Sequence, residues 1–329
     1  MADIVAVGEM LVDFTQKVSE TGEITYTQNA GGSSANVAVM AAKLGVPTGF
    51  IGKVGKDMFG RYLKNVLDEN NVNTKGLILD DKYSTPLAFV SRNESGEREY
   101  YFVRNESEDA SLTYGEVNKK LIDNCKIFHF GSRLLTSEPS RSAVMLCAEY
   151  AKNQGKIISF DPKFRRSQWA SQDEAVRTIQ NVMKCVDILK VSEDELLLVS
   201  GFGNMATAIA KLIGLGVKVI CITQGAKGCI VATKTGINNV PSFKTELVDT
   251  MGAGDSFFGA FLSRIAKSAK PLSALETEDL IGISVYANAC GALSARKLGA
   301  IAAMPTDEEI RALIEQNKKQ QFSLFHILQ

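Results

Sequence analysis

The run Asp249-Thr250-Met251-Gly252-Ala253-Gly254-Asp255-Ser256-Phe257-Phe258-Gly259-Ala260 is the segment best suited to chemistry. Its small residues let backbone N–H groups converge at the start of an apolar helix, where free donors and the macrodipole favour negative charge. Such an anion site needs no basic residue. Asp255 then sits beside an anion it should avoid, which makes sense where a carboxylate must take a proton from an attacking hydroxyl. The expected chemistry is phosphoryl transfer, with Gly252, Ala253 and Gly254 as the cradle and Asp255 as an ionised, weakly basic acceptor of the proton. A helix simply capped by glycine and aspartate is the competing explanation.

A second glycine pair opens another helix, Asn29-Ala30-Gly31-Gly32-Ser33-Ser34-Ala35-Asn36-Val37-Ala38-Val39. Gly31 and Gly32 allow a polyol to approach the backbone, and Asn36 offers an amide that both donates and accepts from the first turn. A tight turn is the plainer explanation of the glycines. Neither segment is a Walker A loop, which needs G-K-[ST], and G-x-G-x-x-G is absent too.

These residues need elements to hold them. Short β-rich runs recur at Ile4 to Gly8, Phe50 to Val54, Lys126 to Gly131, Lys156 to Asp161, Val186 to Val191 and Val217 to Thr223. Between them, Ser33 to Leu44, Glu138 to Lys152, Glu174 to Met183 and Met205 to Ile213 carry helical spacing. The alternation predicts an α/β fold, a mostly parallel sheet with helices on both faces, whose ligands collect at the carboxyl ends of the strands. Phe14 to Gln28 and Leu87 to Val103 read instead as antiparallel hairpins, the second turning at Asn93-Glu94-Ser95-Gly96. A small projecting β-sheet would explain both, either as a lid or as decoration. After Met304-Pro305 one charged helix is expected from Thr306 to Gln316.

The length of 329 residues suits one large domain, expected to span 1–329 with the lid at about 12–30 and 85–108. Thirty-seven basic residues cancel thirty-seven acidic ones, so no overall field favours nucleic acid or a membrane surface, and an anionic ligand must be held locally. Six scattered cysteines without a C-x-x-C pair read as reduced core residues. Two distant histidines, His129 and His326, exclude a histidine-based metal site and a Ser-His-Asp hydrolase. With no leader-like or transmembrane-length run, a cytoplasmic protein is expected.

Taken in order, the two glycine-led segments resemble the signature regions of the ribokinase-like (PfkB) family of carbohydrate kinases, over almost the whole chain. Further agreement lies in Gly8-Glu9 followed by Asp13, Asp161-Pro162 followed by Arg165, and Ile222-Thr223-Gln224-Gly225-Ala226-Lys227-Gly228. Ala287-Asn288-Ala289-Cys290-Gly291-Ala292-Leu293, Gly299-Ala300-Ile301 and Arg104-Asn105-Glu106-Ser107-Glu108-Asp109 look most like the fructokinases within that family. The resemblance implies a ribokinase-like three-layer fold with a β-sheet lid, and transfer of a phosphoryl group from ATP to a free sugar, D-fructose first.

Residue by residue, it implies that Asp13, Gly31, Gly32 and Asn36 hold the sugar, with Phe102 and Arg104 reaching it from the lid. Arg165 would face the transferred phosphoryl or the acceptor, and Thr223, Gly225 and Gly228 the nucleotide phosphates, with Lys190 and Asn288 as further ATP-site candidates. Magnesium would lie near Glu195, and a monovalent cation such as potassium near Asp249. Two positions depart from the family pattern. Ser192-Glu193-Asp194-Glu195 stands where Asn-x-x-Glu is common, and Lys163 stands where many fructokinases carry asparagine. That lysine would add a cation near the phosphate or mark a different acceptor. The rivals are a 2-keto-3-deoxygluconate kinase, a catalytically silent sugar or nucleotide sensor, and a dehydrogenase, the last lacking both the glycine fingerprint and an acid–base histidine. A homodimer paired through the lids is also expected.

Overall fold

A computed structural model describes residues 2–92, 98–103 and 111–327 of the chain. The first half runs β1 (Ile4–Val7), β2 (Leu11–Val18), β3 (Ile24–Gly31), α1 (Ser33–Lys43), β4 (Thr48–Gly55), α2 (Met58–Glu69), β5 (Val72–Asp80), β6 (Leu87–Arg92) and β7 (Arg98–Val103). It continues through α3 (Lys119–Asp123), β8 (Ile127–Gly131), α4 (Ser140–Asn153), β9 (Ile157–Asp161), α5 (Gln172–Met183) and β10 (Ile188–Ser192). The last third holds α6 (Glu193–Ser200), α7 (Met205–Gly214), β11 (Val219–Thr223), β12 (Gly228–Thr233), β13 (Gly236–Pro241), α8 (Ala253–Lys267), α9 (Thr277–Ser294) and α10 (Asp307–Ile327).

Nine strands form one sheet in the order β13-β12-β11-β10-β9-β8-β1-β4-β5. From β11 to β5 every neighbour is parallel; only β12 runs against the rest, and β13 pairs antiparallel with it and so returns to the common direction. Strands covered on both faces favour apolar residues, and β1, β4 and β8 are buried throughout. One face packs under α1, α8, α9 and α10 through Met40, Phe258, Phe261 and Ile310. The other packs under α4 to α7 through Phe128, Phe160, Ile179 and Leu212. The result is the three-layer α/β architecture expected from the alternation.

The second sheet, β3-β2-β6-β7, contains both expected hairpins, joined by a parallel β2–β6 pairing. The turn expected at Asn93 to Gly96, and Arg104 to Asp109, lie outside the described residues. Three strands near the sheet edges, β5, β12 and β13, and helix α2 were not expected from the sequence. Helix α10 also extends beyond Gln316 to Ile327, because no glycine or proline interrupts the chain after Pro305.

Most helix starts follow ordinary capping. Asp57 accepts from Gly60 N at 2.8 Å, Ser171 from Glu174 N at 3.1 Å, and Ser192 and Glu195 form a capping box. Helices α1 and α8 differ. Each begins on a glycine with positive φ, Gly32 at 125° and Gly252 at 71°, so neither N-cap residue supplies a side-chain hydrogen bond. Those two helix starts face the same space.

Candidate active site

A cavity of about 290 Å³ lies where α1 and α8 begin, between the carboxyl ends of the parallel strands and the small sheet. The helix starts leave no room for side chains. A Cβ on Gly32 would stand 2.3 Å from Glu9 O, and one on Gly252 would stand 2.7 Å from Ala300 Cβ. Glycine is therefore required at both positions by conformation and by space. Glu9 secures the first entry by accepting from Ser33 N at 2.8 Å. Asp249 secures the second, with Oδ1 accepting from Met251 N at 2.9 Å and Oδ2 from Gly299 N at 3.0 Å.

Asp255, in the first turn of α8, is buried and lines the cavity. Its Oδ2 accepts from Asn36 Nδ2 at 2.9 Å, and its Oδ1 accepts from Ser33 Oγ at 3.2 Å and forms a short ion pair with Lys163 Nζ. Burial pushes this carboxyl up, but Lys163, Asn36 and Lys190 together outweigh it and hold Asp255 below the usual carboxylate range. It is an ionised acceptor at neutral pH. Ala253 N is turned onto Thr250 O at 3.3 Å, so within the expected anion cradle the Gly252 and Gly254 amides remain for a ligand.

A charged layer backs Asp255. Lys190 Nζ meets Asp161 Oδ2 at 3.0 Å, both groups buried. Burial opposes the ammonium, yet Asp161, Glu195 and Asp255 outweigh it and hold Lys190 protonated. Glu195 accepts from Phe164 N and Ser192 N, each at 2.8 Å. Its burial is outweighed by Lys190 and these amides, so it too stays ionised. Lys190 also reaches the anion turn, lying 3.4 Å from where a Cβ on Gly254 would stand. His129, in β8 beneath the first turns of α8, is lowered to about 3 by burial and stays neutral.

Of the residues singled out from the sequence, Asp13, Gly32, Asn36, Phe102, Arg165, Gly252 and Asp255 line this one cavity. Gly31 lies behind Asp13, whose Oδ2 would meet a Cβ on Gly31 at 2.3 Å. Asp13 and Phe102 share one face of the small sheet, since Asp13 pairs Ala88 and Ala88 pairs Phe102. Arg104 lies outside the described residues. Thr223, Gly225 and Gly228 form a separate group where β11 turns into β12. Asn288 is a buried tie whose amide donates to Val240 O at 2.9 Å and Pro241 O at 3.2 Å.

For a metal, the described residues contain no group of three or more carboxylate, histidine or cysteine ligands. The carboxylate oxygens of Glu195 and Asp249 are engaged by backbone amides. A divalent ion would therefore arrive with phosphate oxygens of its own ligand, against a rim already ionised, which fits magnesium's habit of keeping water and phosphate ligands.

Glu9, Ser33, Ser132, Gln168, Thr250 and Ala300 are among the lining residues that were not placed there from the sequence, whereas Lys163, which also lines the cavity, had been expected to add a cation near the phosphate or to mark a different acceptor. Glu9 carried a signal, the glutamate next to Gly8 at the end of β1. Ser33 and Lys163 meet Asp255 across 222 and 92 residues of chain, a distance no local pattern spans.

The sequence model described as pfkB family carbohydrate kinase matches residues 1–307. Fructokinase-1 of Zea mays is 40% identical over 316 residues, 95% of this chain and 97% of its own length. A fructokinase from Xylella fastidiosa, crystallised with bound ATP, superposes with a TM-score of 0.90 at 28% identity, covering 97% of this chain and 100% of that one. A double mutant of the fructokinase from Vibrio cholerae O395, in a form with fructose, ADP and potassium ion bound, superposes with a TM-score of 0.86 at 28% identity, covering 95% and 98%.

Proposed function

Because this chain belongs to the pfkB family of carbohydrate kinases and is an ATP-dependent sugar kinase, we propose that its acceptor is D-fructose, phosphorylated on the primary hydroxyl to fructose 6-phosphate. The observation that carries the mechanism is the buried, ionised Asp255 in the first turn of a helix that begins on glycine without a capping side chain. A carboxylate there accepts the hydroxyl proton as the oxygen attacks, and the amides of Gly252 and Gly254 receive the phosphoryl charge. Arg165, exposed on the cavity rim, adds a guanidinium to the same charge. Asp13, Gly31, Gly32 and Asn36 form the sugar floor, and Phe102 covers an apolar face of the ring from the small sheet. Arg104 joins Phe102 in this assignment by family resemblance alone.

ATP lies along the turn holding Thr223, Gly225 and Gly228, with Lys190 at the border between nucleotide and acceptor. Gly225 supports this reading: its φ is 58° and the space beside it is open, so phosphate can approach the backbone. Asn288 belongs to this side through the β13 end that it holds. Magnesium bound with the phosphates neutralises their charge, with Glu195 nearest among the carboxylates. Potassium is assigned to the Asp249 turn, where it would stabilise the anion cradle.

The small sheet serves as the lid of the single domain 1–329, since Leu11, Asp13 and Phe102 enter the cavity from it. Its other face carries Val18, Ile24, Tyr26, Tyr101 and Val103, with Tyr101 71% and Val18 64% exposed. A surface this apolar supports a homodimer paired through the lids. No single helix among the described residues is long and apolar enough to cross a membrane, and a cytoplasmic location is proposed. The acid-sugar kinase reading finds less support than fructose among the relatives, and a silent sensor would have no need of the base.

The test is ADP release with ATP and magnesium against fructose, 2-keto-3-deoxygluconate, ribose, glucose and adenosine, with and without potassium. Preference for fructose supports the assignment. Preference for another sugar overturns the acceptor, and silence on all of them overturns the kinase reading.

A further inference from the structure

Lys163 is one of two non-glycine residues with positive φ among those described, at 45°. Its surroundings impose that conformation. Lys163 N donates to Asp161 Oδ1 at 3.2 Å, and the next amide, Phe164 N, donates to Glu195 Oε1 at 2.8 Å. The loop after β9 is thus pinned on both sides of the peptide that turns, and the side chain is delivered into the cavity. A strained residue held by its surroundings beside a reacting group is a candidate for function.

The hydrogen bonds of Asp255 indicate which function. A carboxylate has about four acceptor positions. Ser33 and Lys163 take Oδ1 and Asn36 takes one position on Oδ2, leaving the second Oδ2 position for the acceptor hydroxyl. Lys163 need not leave when sugar binds. Its ammonium sits on a flexible stem with a side chain 28% exposed, whereas the carboxylate it meets is 4% exposed and held by Ser33 and Asn36. If one partner moves, it is the lysine.

We propose that Lys163 works twice in phosphoryl transfer, pairing with the base carboxylate before the reaction and with the transferred phosphoryl oxygens after it. This rests on the sugar kinase reading of the site. The sugar O–H bond breaks and its proton goes to Asp255 Oδ2. The oxygen's electron pair forms the new O–P bond, and the bond from the γ-phosphorus to the β,γ-bridging oxygen breaks with its pair remaining on ADP. Once protonated, Asp255 no longer holds the ammonium, and the nearest negative charge is the phosphoryl group. A cation shared in this way stabilises charge where it accumulates and needs no water to enter.

Lys163→Gly and Lys163→Met separate strain from charge. Glycine relieves the positive φ, so Lys163→Gly should melt no lower than wild type while kcat falls roughly 100-fold and the fructose KM stays within about threefold. Lys163→Met should show the same fall in kcat, and Lys163→Arg should recover part of it. The acid limb of kcat/KM should move to higher pH in both neutral variants. Asp255 also faces Lys190 from β10, Asp161 from β9 and neutral His129 from β8, with Glu9, Asp13, Arg133 and Arg165 across the cavity. All of these remain in the variants, so the movement reports Lys163. A kcat within threefold of wild type, a loss confined to KM, or an unmoved acid limb would overturn the proposal. If wild type phosphorylates none of the sugars, the kinase reading has failed. Carbon-13 titration of the Asp255 carboxyl in Lys163→Met then decides the pairing, an upward movement supporting it and none refuting it.

Discussion

Asp255→Asn removes the proton acceptor without removing its shape. The structure indicates that the fold can absorb the change. The new amide keeps one acceptor oxygen for Lys163 and Ser33, but it places an NH2 group opposite Asn36 Nδ2, two donors facing each other. Asn36 Oδ1 has no hydrogen-bond partner, so a flip of the Asn36 amide turns that contact into a donor–acceptor pair. The sugar contacts proposed for Asp13 and for the backbone of Gly31 and Gly32 would be untouched. Catalysis is affected differently. Loss of a general base costs about 10²–10⁴ in rate. Lys163 also loses its ionic partner, so the expected fall in kcat is roughly 10³-fold, or about 4 kcal/mol at 1.36 kcal/mol per decade. Coupled ADP release measures kcat, and calorimetric titration with fructose measures binding, expected within about threefold of wild type. A kcat within tenfold of wild type would refute Asp255 as the base. A loss residing wholly in fructose affinity would make it a binding residue instead.

Other consequences are open to direct measurement. Asp255 acts deprotonated and its folded pKa is depressed, so kcat/KM should hold constant from neutral pH downward and fall only below the ordinary aspartate range, near 4, or where the protein unfolds first. Lys190→Met strands the fully buried Asp161 carboxylate without its partner, a loss of about 3–5 kcal/mol that denaturant unfolding would register. If that variant is as stable as wild type, the pair contributes nothing to the fold. Tyr101→Glu, on the exposed face of the small sheet, should turn a dimer into a monomer in sedimentation equilibrium while leaving the fold intact. A variant that stays dimeric places the interface elsewhere.

Where burial on both faces dictated composition, the sequence was readable. β1, β8, β9, β10 and β11 are rich in Ile, Val, Leu and Phe and have no exposed position, and each lies within two residues of where periodicity places it. β5 was not legible, because at the sheet edge Asn73, Thr74 and Lys75 interrupt its apolar pattern. β12 and β13 were missed because their hairpin turns through Lys234 and Thr235 without a strong turn dipeptide, and Asn238 and Asn239 dilute the second strand. At the site, Gly32, Gly252 and Asp255 could be found because a glycine-led helix start is a local pattern. The contacts that Ser33, Asn36 and Lys163 make with Asp255 could not, because these residues follow β3 and β9 in the chain and meet the carboxylate only once the fold has formed.

The same contrast explains why the site is where it is. Several helices of this protein satisfy their first turns with Asp57, Ser171, Ser192 or Asn204, side chains that stabilise by about 1 kcal/mol each. Helices α1 and α8 forgo that gain and begin on glycines in conformations other residues avoid. The sequence therefore places a positive-φ glycine at a helix start twice, at positions 220 residues apart, and the fold brings both to one cavity. A stability argument does not explain this, because capping residues would have stabilised each helix separately. A ligand does, since an uncapped helix start is unsatisfied only until an anion or a polyol occupies it. Lys163 is a third positive-φ position there, a strained residue where a relaxed one would fold more readily. Three local costs converging on one carboxylate are the physical signature of a site arranged for the transfer of a charged group.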